Sequence, residues 1–221
     1  MTRGSLRRGV RALLARSPRL EAIAVAARRG SLPRDAPSGT VPLRPLRPPP
    51  VDEDNHPEAL ALAPFCVGKG IDVGCGHRKV TPDCIGVDLL AAGELGEHGV
   101  VSGQRSVADL QASGDDLHMF VDGELDFVVS RHNLEHYVDV VRTLQEWARV
   151  TRVGGIVAMI VPDERAGDTI FLDPTHKHSF TPESLARLVS LVGGLEVVET
   201  RVVTRRWSFM LVARKVESGA R

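Results

Sequence analysis

The feature that most constrains this chain is a glycine turn closing a very short apolar strand. Gly70-Ile-Asp-Val73 runs into Gly74-Cys-Gly76, and a second short strand, Cys84-Ile-Gly-Val-Asp88, ends on a carboxylate. Glycines after a strand allow a tight turn and let the backbone approach a ligand closely. In doubly wound α/β folds, ligands lie beyond the carboxyl ends of the strands. A carboxylate at the end of the second strand can accept both hydroxyls of a ribose in charge-assisted hydrogen bonds.

A dinucleotide site fits this segment poorly. Its third fingerprint glycine would fall at position 79, which is Lys79. Its acidic residue lies about twenty residues on, well beyond Asp88. Asp72, inside the turn, would sit badly beside a pyrophosphate and suits a cofactor with a cationic end. Only residues 77–84 separate Gly76 from Ile85, so any first helix has at most about two turns.

Downstream, strand and helix patterns alternate. Residues 57–63 read as a short helix, 106–110 as a third strand and 125–130 as a fourth. Residues 138–152 read as a helix with Val140, Val141, Leu144, Ala148 and Thr151 on one face. Ile156 to Val161 is a continuous apolar run suited to a buried parallel strand. Thr181 with Pro182 behind it is a helix start, and Gly193-Gly194 is its stop. Residues 195–203 and 207–212 are strands joined by only a few residues, which forces them antiparallel. The expected fold is α/β, a Rossmann-like doubly wound, mostly parallel sheet with an antiparallel last strand.

The domain division follows from charge. Lys+Arg and Asp+Glu are both 28, yet residues 1–50 hold eleven arginines against only Glu21 and Asp35. Residues 31–50 add seven prolines. Residues 1–50 therefore form a basic helical arm with a Pro-rich linker, and residues 51–221 the folded domain. A mobile arm, an amphipathic helix in peripheral contact with a membrane through residues 1–30, and an organelle transit peptide all fit that composition. Cys66, Cys75 and Cys84 form no C-x-x-C pair, so neither a disulfide framework nor a zinc knuckle is expected. No apolar run approaches a transmembrane span. The expected location is the cytoplasm, with membrane association through the arm as an option. The acidic remainder of the chain argues against a nucleic-acid substrate.

Ile71-Asp-Val-Gly-Cys-Gly76, Ile85-Gly-Val-Asp88, Ala108-Asp-Leu110, Leu125-Asp-Phe-Val-Val-Ser-Arg-His-Asn-Leu-Glu-His136, Arg149-Val-Thr-Arg-Val-Gly-Gly155 and Val161-Pro-Asp163 together resemble the class I S-adenosylmethionine-dependent methyltransferases. More narrowly, they resemble the "methyltransferase domain" group that acts mostly on small molecules. The resemblance covers roughly residues 68–214. It implies that Asp72, Gly74, Cys75 and Gly76 line the methionine end of S-adenosylmethionine and that Asp88 holds the ribose. It implies that Asp109 faces the adenine between Leu89 and Leu110, and that Ser130, Arg131 and His132 floor the site near the sulfonium. The chain departs from the family at Arg78, where a third glycine is common. Arg78 or Lys79 then pairs with the cofactor carboxylate or stays an exposed loop cation. Where amino-methyltransferases of nucleic acids carry an Asn/Asp-Pro-Pro-aromatic motif, Ser130-Arg-His-Asn133 stands here.

For an oxygen acceptor a general base is useful, and histidine titrates in the right range. His132, His176 and His178 are the candidates, with His136 beside them. His132, Glu135 and His136 would share a helical face and could ligate a metal. A structural role for Glu135 and His136 is the simpler account, and no metal is expected. The expected function is methylation of a small-molecule acceptor, at oxygen of a sugar, a lipid-linked glycan or a secondary metabolite. The alternative is a non-catalytic cofactor-binding module tethered by its basic arm.

Overall fold

The computed structural model describes residues 56–97 and 103–217, and the expectations for the basic arm and linker lie outside them. These residues belong to the unit Leu46–Arg221. Helix α1 (Pro57–Leu62) leads to β1 (Gly70–Val73), β2 (Ile85–Asp88), β3 (Leu110–Gln111) and β4 (Leu125–Arg131). Then come α2 (Val140–Val150), β5 (Thr151–Pro162), α3 (Thr169–Leu172), α4 (Pro182–Val192), β6 (Leu195–Thr204) and β7 (Ser208–Lys215).

The seven strands form one sheet in the order β3-β2-β1-β4-β5-β7-β6. The pairs from β3 to β5 are all parallel, and β7 runs antiparallel to both β5 and β6. The sheet reverses its winding at β1, so the carboxyl ends of β1 and β4 diverge around a crevice, the usual ligand position. The antiparallel pairing expected of the last two strands is present, and the hairpin inserts β7 between β5 and β6.

Period-two alternation sorts the core onto two faces. Ile71, Val73, Val128, Val157, Met159 and Leu211 face Leu144, Trp147, Leu185 and Val189 of α2 and α4. Phe127, Val129, Ala158, Ile160, Met210 and Val212 face Ala61 and Leu62 of α1 and Val80 and Cys84. Trp147 is fully buried and donates its indole N–H to the Gly114 carbonyl at 2.9 Å. Helix α4 starts on a capping box between Thr181 and Ser184 with Pro182 at its first position.

Two expectations need correcting. The third strand is only Leu110–Gln111. Within 106–109 the Val107 and Asp109 amides do reach Gly76 and Gly86, but no ladder forms before Leu110. Residues 77–84 hold turns and bends rather than a shortened helix, because eight residues must both leave the glycine turn and return to β2. Among the described residues no helix is long and apolar enough to cross a membrane.

Candidate active site

The glycine turn is built by backbone geometry. Gly74 and Gly76 have φ of 72° and 56°, in the left-handed region that favours glycine. The Gly74 amide donates to the Val87 carbonyl at 2.8 Å, tying the turn to β2. A Cβ on Gly74 would lie 2.4 Å from Cγ of Asn133, so the Asn133 carboxamide rests directly on the turn.

Asp88 ends β2 at the rim. One carboxylate oxygen accepts the Gly76 amide at 2.8 Å and the other the Leu90 amide at 3.0 Å. Each oxygen keeps a lone pair, so the half-buried carboxylate can still accept a vicinal diol. Leu89, beside it, is largely exposed, and Leu110 is half-buried.

Asp72 sits elsewhere than expected. It points to the face packed by α1 and is 1% exposed, and its Oδ2 accepts the Val80 amide at 2.6 Å. It therefore braces the turn from behind rather than lining it. Burial pushes its carboxyl up to about 6, against the opposing pull of Arg131 and the Val80 amide. Its Oδ1 has no hydrogen-bond partner. Cys75 is likewise buried, and burial pushes its thiol up to about 12, so its side chain offers the site no thiolate.

Asp109 also differs. The β2–β3 register pairs Val87 with Leu110, which sets Asp109 level with Gly86, below the rim. Its carboxylate takes the Gly86 amide at 2.7 Å and the Lys79 ammonium at 2.9 Å. These bonds hold it below the usual carboxylate range. Lys79 is thus engaged with Asp109. The residues that follow the carboxyl end of β3 are Ala112-Ser-Gly-Asp115. There Tyr137 Oη accepts the Gly114 amide and the Asn133 side-chain N–H, both at 3.0 Å. Asn133, Tyr137, Ser113 and Asp115 are rim residues that the sequence reading passed over. The signal available was their position immediately after the fourth and third strands.

The end of β4 is held internally. Ser130 is buried and donates its hydroxyl to the Val73 carbonyl at 2.9 Å, joining the ends of β1 and β4. Arg131 donates to the Arg78 carbonyl at 3.0 Å, across the back of the glycine turn. His132 adopts φ 49° and turns onto Glu58 of α1, whose two oxygens both lie 3.0 Å from Nε2. Its Nδ1 is 3.7 Å from Glu135. Burial alone would lower its pKa, but the two carboxylates outweigh that and raise it to about 10. Glu58 is lowered to about 2 despite its burial, by His132 and by a 2.5 Å bond from Ser208. His132 is accordingly a buried imidazolium and is corrected from the list of bases.

His178 is also removed from that list. Its Nε2 donates to the Val138 carbonyl at 3.1 Å, and its ring stacks on Phe180. His176 differs. Its Nδ1 is buried without a hydrogen-bond partner, and its ring meets that of His136 edge-on at 4.7 Å. Burial holds its pKa below the usual imidazole value. Glu135, 1% exposed, completes this group beyond the ends of β4 and β5. The expected face of His132, Glu135 and His136 does not form, because Leu134–His136 is a 3₁₀ turn and His132 precedes it.

Residues 71–159 match the family described as Methyltransferase domain. No curated protein matches the chain. Among solved structures, the chain is similar to one in the complex of the Haloferax volcanii Trm112 methyltransferase activator with a methyltransferase. The TM-score is 0.55 at 18% identity, covering 74% of this chain and 90% of that one. It is similar to YcgJ of Bacillus subtilis, with TM-score 0.52 at 15% identity, covering 73% of this chain and all of that one. It is similar to geranyl diphosphate C-methyltransferase of Streptomyces coelicolor A3(2), solved with Mg2+, geranyl diphosphate and S-adenosyl-L-homocysteine. That TM-score is 0.54 at 16% identity, covering 72% and 77%.

The match over residues 71–159, the fold and the glycine turn support a class I S-adenosylmethionine-dependent methyltransferase. The chain is an enzyme with a Rossmann-like sheet, and its cofactor is S-adenosylmethionine. The site fits the cofactor: the glycine turn at Gly74–Gly76 lies next to a carboxylate with spare lone pairs at Asp88.

Proposed function

We propose that the enzyme methylates a small-molecule acceptor at oxygen, the acceptor being a sugar, a lipid-linked glycan or a secondary metabolite. The observation carrying this reading is the buried group Glu135, His136 and His176 beyond the ends of β4 and β5. It supplies a buried imidazole whose Nδ1 has no hydrogen-bond partner and whose pKa burial lowers, chemistry suited to taking the proton of an acceptor hydroxyl. S-adenosylmethionine supplies a methyl on a sulfonium: the acceptor oxygen bonds to the methyl carbon and the C–S electron pair returns to sulfur.

The chain's residues divide the remaining work. Asp88 takes the ribose hydroxyls, and the backbone of Gly74, Cys75 and Gly76 lies along the methionine end. Leu89 and Leu110 wall the adenine. Its polar edge falls to the 112–115 turn in place of Asp109, because ligands lie beyond carboxyl ends of strands. Ser130 and Arg131 keep the ends of β4 and β1 together, and so fix where the methyl is presented. Removal of the acceptor proton depends on His176. The exposed Ile170, Phe171 and Leu172 of α3, just ahead of the Asp173–His178 loop, suit an acceptor with an apolar part. The reading keeps the enzyme in the cytoplasm, with the basic arm available for peripheral membrane contact.

The test begins with S-adenosylhomocysteine binding by calorimetry on the wild type and on His176→Ala, followed by an acceptor screen on both. Equal binding with turnover only in the wild type is the expected result. An acceptor turned over equally well by His176→Ala sinks the assignment of the acceptor side.

A further inference from the structure

The structure assigns a divalent metal site to Glu135, His136 and His176. The three side chains each offer one donor atom, and these atoms lie within 4.8 Å of one another. Around a tetrahedral zinc, with bonds of about 2.0–2.2 Å, neighbouring donors stand ~3.3 Å apart. The group therefore has to draw in by no more than ~1.5 Å to enclose an ion.

Glu135 supplies the strongest argument. Its side chain is 1% exposed, and neither carboxylate oxygen has a hydrogen-bond partner. Buried carboxylates are ordinarily paired or bound to metal, because an uncompensated one is costly. The nearest cations are imidazoles at 3.7 Å (His132) and 3.9 Å (His176), both beyond hydrogen-bond distance. His132 is already held at 3.0 Å by Glu58, so one imidazole stands between two buried carboxylates and cannot neutralise both.

The tautomer of His136 is set for ligation. The Thr175 hydroxyl donates its single proton to Asp173 at 2.6 Å. It can only accept from His136 Nδ1, 3.0 Å away, which must carry the hydrogen. Nε2 of His136 is then left with its lone pair. A ligating histidine whose other nitrogen is fixed by a hydroxyl and a carboxylate behind it is the usual outer-shell arrangement of metal sites. His176 turns its Nε2 toward Glu135 Oε1 at 3.9 Å, and its ring is buried, with Nδ1 lacking a hydrogen-bond partner. The main-chain amides of Lys177 and His178 both donate to the Glu135 carbonyl, at 2.8 and 3.1 Å, and so pin the His176 loop against the Glu135 turn.

Two imidazoles and one carboxylate select a borderline ion such as Zn2+ rather than Mg2+ or Ca2+, and leave a fourth position open. The existence of the site does not depend on the acceptor chemistry. Its role does rest on the proposed function and replaces direct proton transfer to His176: an ion held by His176 would acidify an acceptor hydroxyl in the open position, with solvent taking the proton.

The test is titration of chelator-treated full-length protein with ZnCl2 by calorimetry, together with the visible spectrum of the Co2+-loaded protein. The expected result is one Zn2+ per chain at micromolar affinity or tighter. It should weaken at least tenfold in His176→Ala and in Glu135→Gln and stay within twofold in His178→Ala. No saturable uptake of Zn2+ or Co2+ by the folded wild type, or a Co2+ spectrum unchanged in His176→Ala, overturns the assignment. If Glu135→Gln does not fold, the wild-type spectrum and His176→Asn decide. S-adenosylhomocysteine titrated into the same sample separates the two ideas: binding of it without Zn2+ removes the metal and leaves the methyltransferase.

Discussion

Glu58 and His132, 74 positions apart in the chain, meet with both carboxylate oxygens 3.0 Å from Nε2. The contact fastens α1 to the residue that follows β4, and Ser208 at the start of β7 adds a third attachment through its hydroxyl. One buried pair thus joins the first described helix, the centre of the sheet and its antiparallel strand. Removing one partner leaves the other charge buried and unpaired, which costs about 3–5 kcal/mol. Glu58→Gln and His132→Gln should each lower the urea midpoint strongly, and the double variant should cost much less than their sum. Additive losses would show that the pair is not coupled.

Asp88→Ala tests the proposed ribose contact, since it removes the carboxylate that closes β2. Binding of S-adenosylhomocysteine should weaken at least tenfold, which corresponds to about 1.4 kcal/mol. Asp88→Asn should fall between, because it can still accept the Gly76 amide. Unchanged calorimetric affinity in Asp88→Ala would move the ribose to another part of the rim.

Gly74→Ala tests the turn itself. The substitution places a Cβ 2.4 Å from Asn133 Cγ at a φ of 72°. Strain of this kind costs about 1–3 kcal/mol, and cofactor affinity should drop with it. Asn133→Gly in the same chain, which also removes the Asn133 Cβ at 2.7 Å, should restore part of the stability by clearing the clash but not the backbone strain. Full recovery in thermal melts would show that the backbone conformation carries no cost.

Asp72 gives a pH signature. Its folded-state pKa of about 6 lies above the ordinary value of 3.8, with burial as the main cause. Its contribution to stability is therefore fully present below about pH 4 and is lost as pH rises through 6. The change is roughly 2–3 kcal/mol. Asp72→Asn has no such proton to lose, so the stability difference between wild type and variant should shift toward the variant between pH 4 and 7. A difference that is flat with pH in urea unfolding would place the Asp72 carboxyl at its ordinary value.

Cys75 is buried with its thiol raised to about 12, and Cys66, half-buried, is raised equally by burial. At pH 8 neither carries appreciable thiolate, so a disulfide reagent should titrate both only as fast as the protein opens. Rapid stoichiometric labelling of Cys75 in the native protein would contradict its packing against the turn.

Short-range features were legible in the sequence because their causes are local. The glycines of the first turn, the carboxylate closing β2, the Thr181-Pro182 helix start and the antiparallel hairpin forced by a short connection all act within a few residues of themselves. Asp109 was misjudged for a different reason. Its neighbours look like a strand, but only the register of β3 against β2 places its carboxylate one step below the rim and beside Lys79. Asp72 was assigned to the wall of the site because its position in the motif shows adjacency to the turn but not the face of β1 from which it points. The histidines could be ranked only after folding. Spacing suggested His132 with Glu135 and His136, whereas the 3₁₀ turn breaks that face and the loop after β5 brings in His176. The sequence by itself determined the class of cofactor site, since a ligand turn is written in contiguous residues. Tertiary structure alone decided which buried carboxylate meets which imidazole, since charge pairing depends on distances between segments that no local pattern encodes.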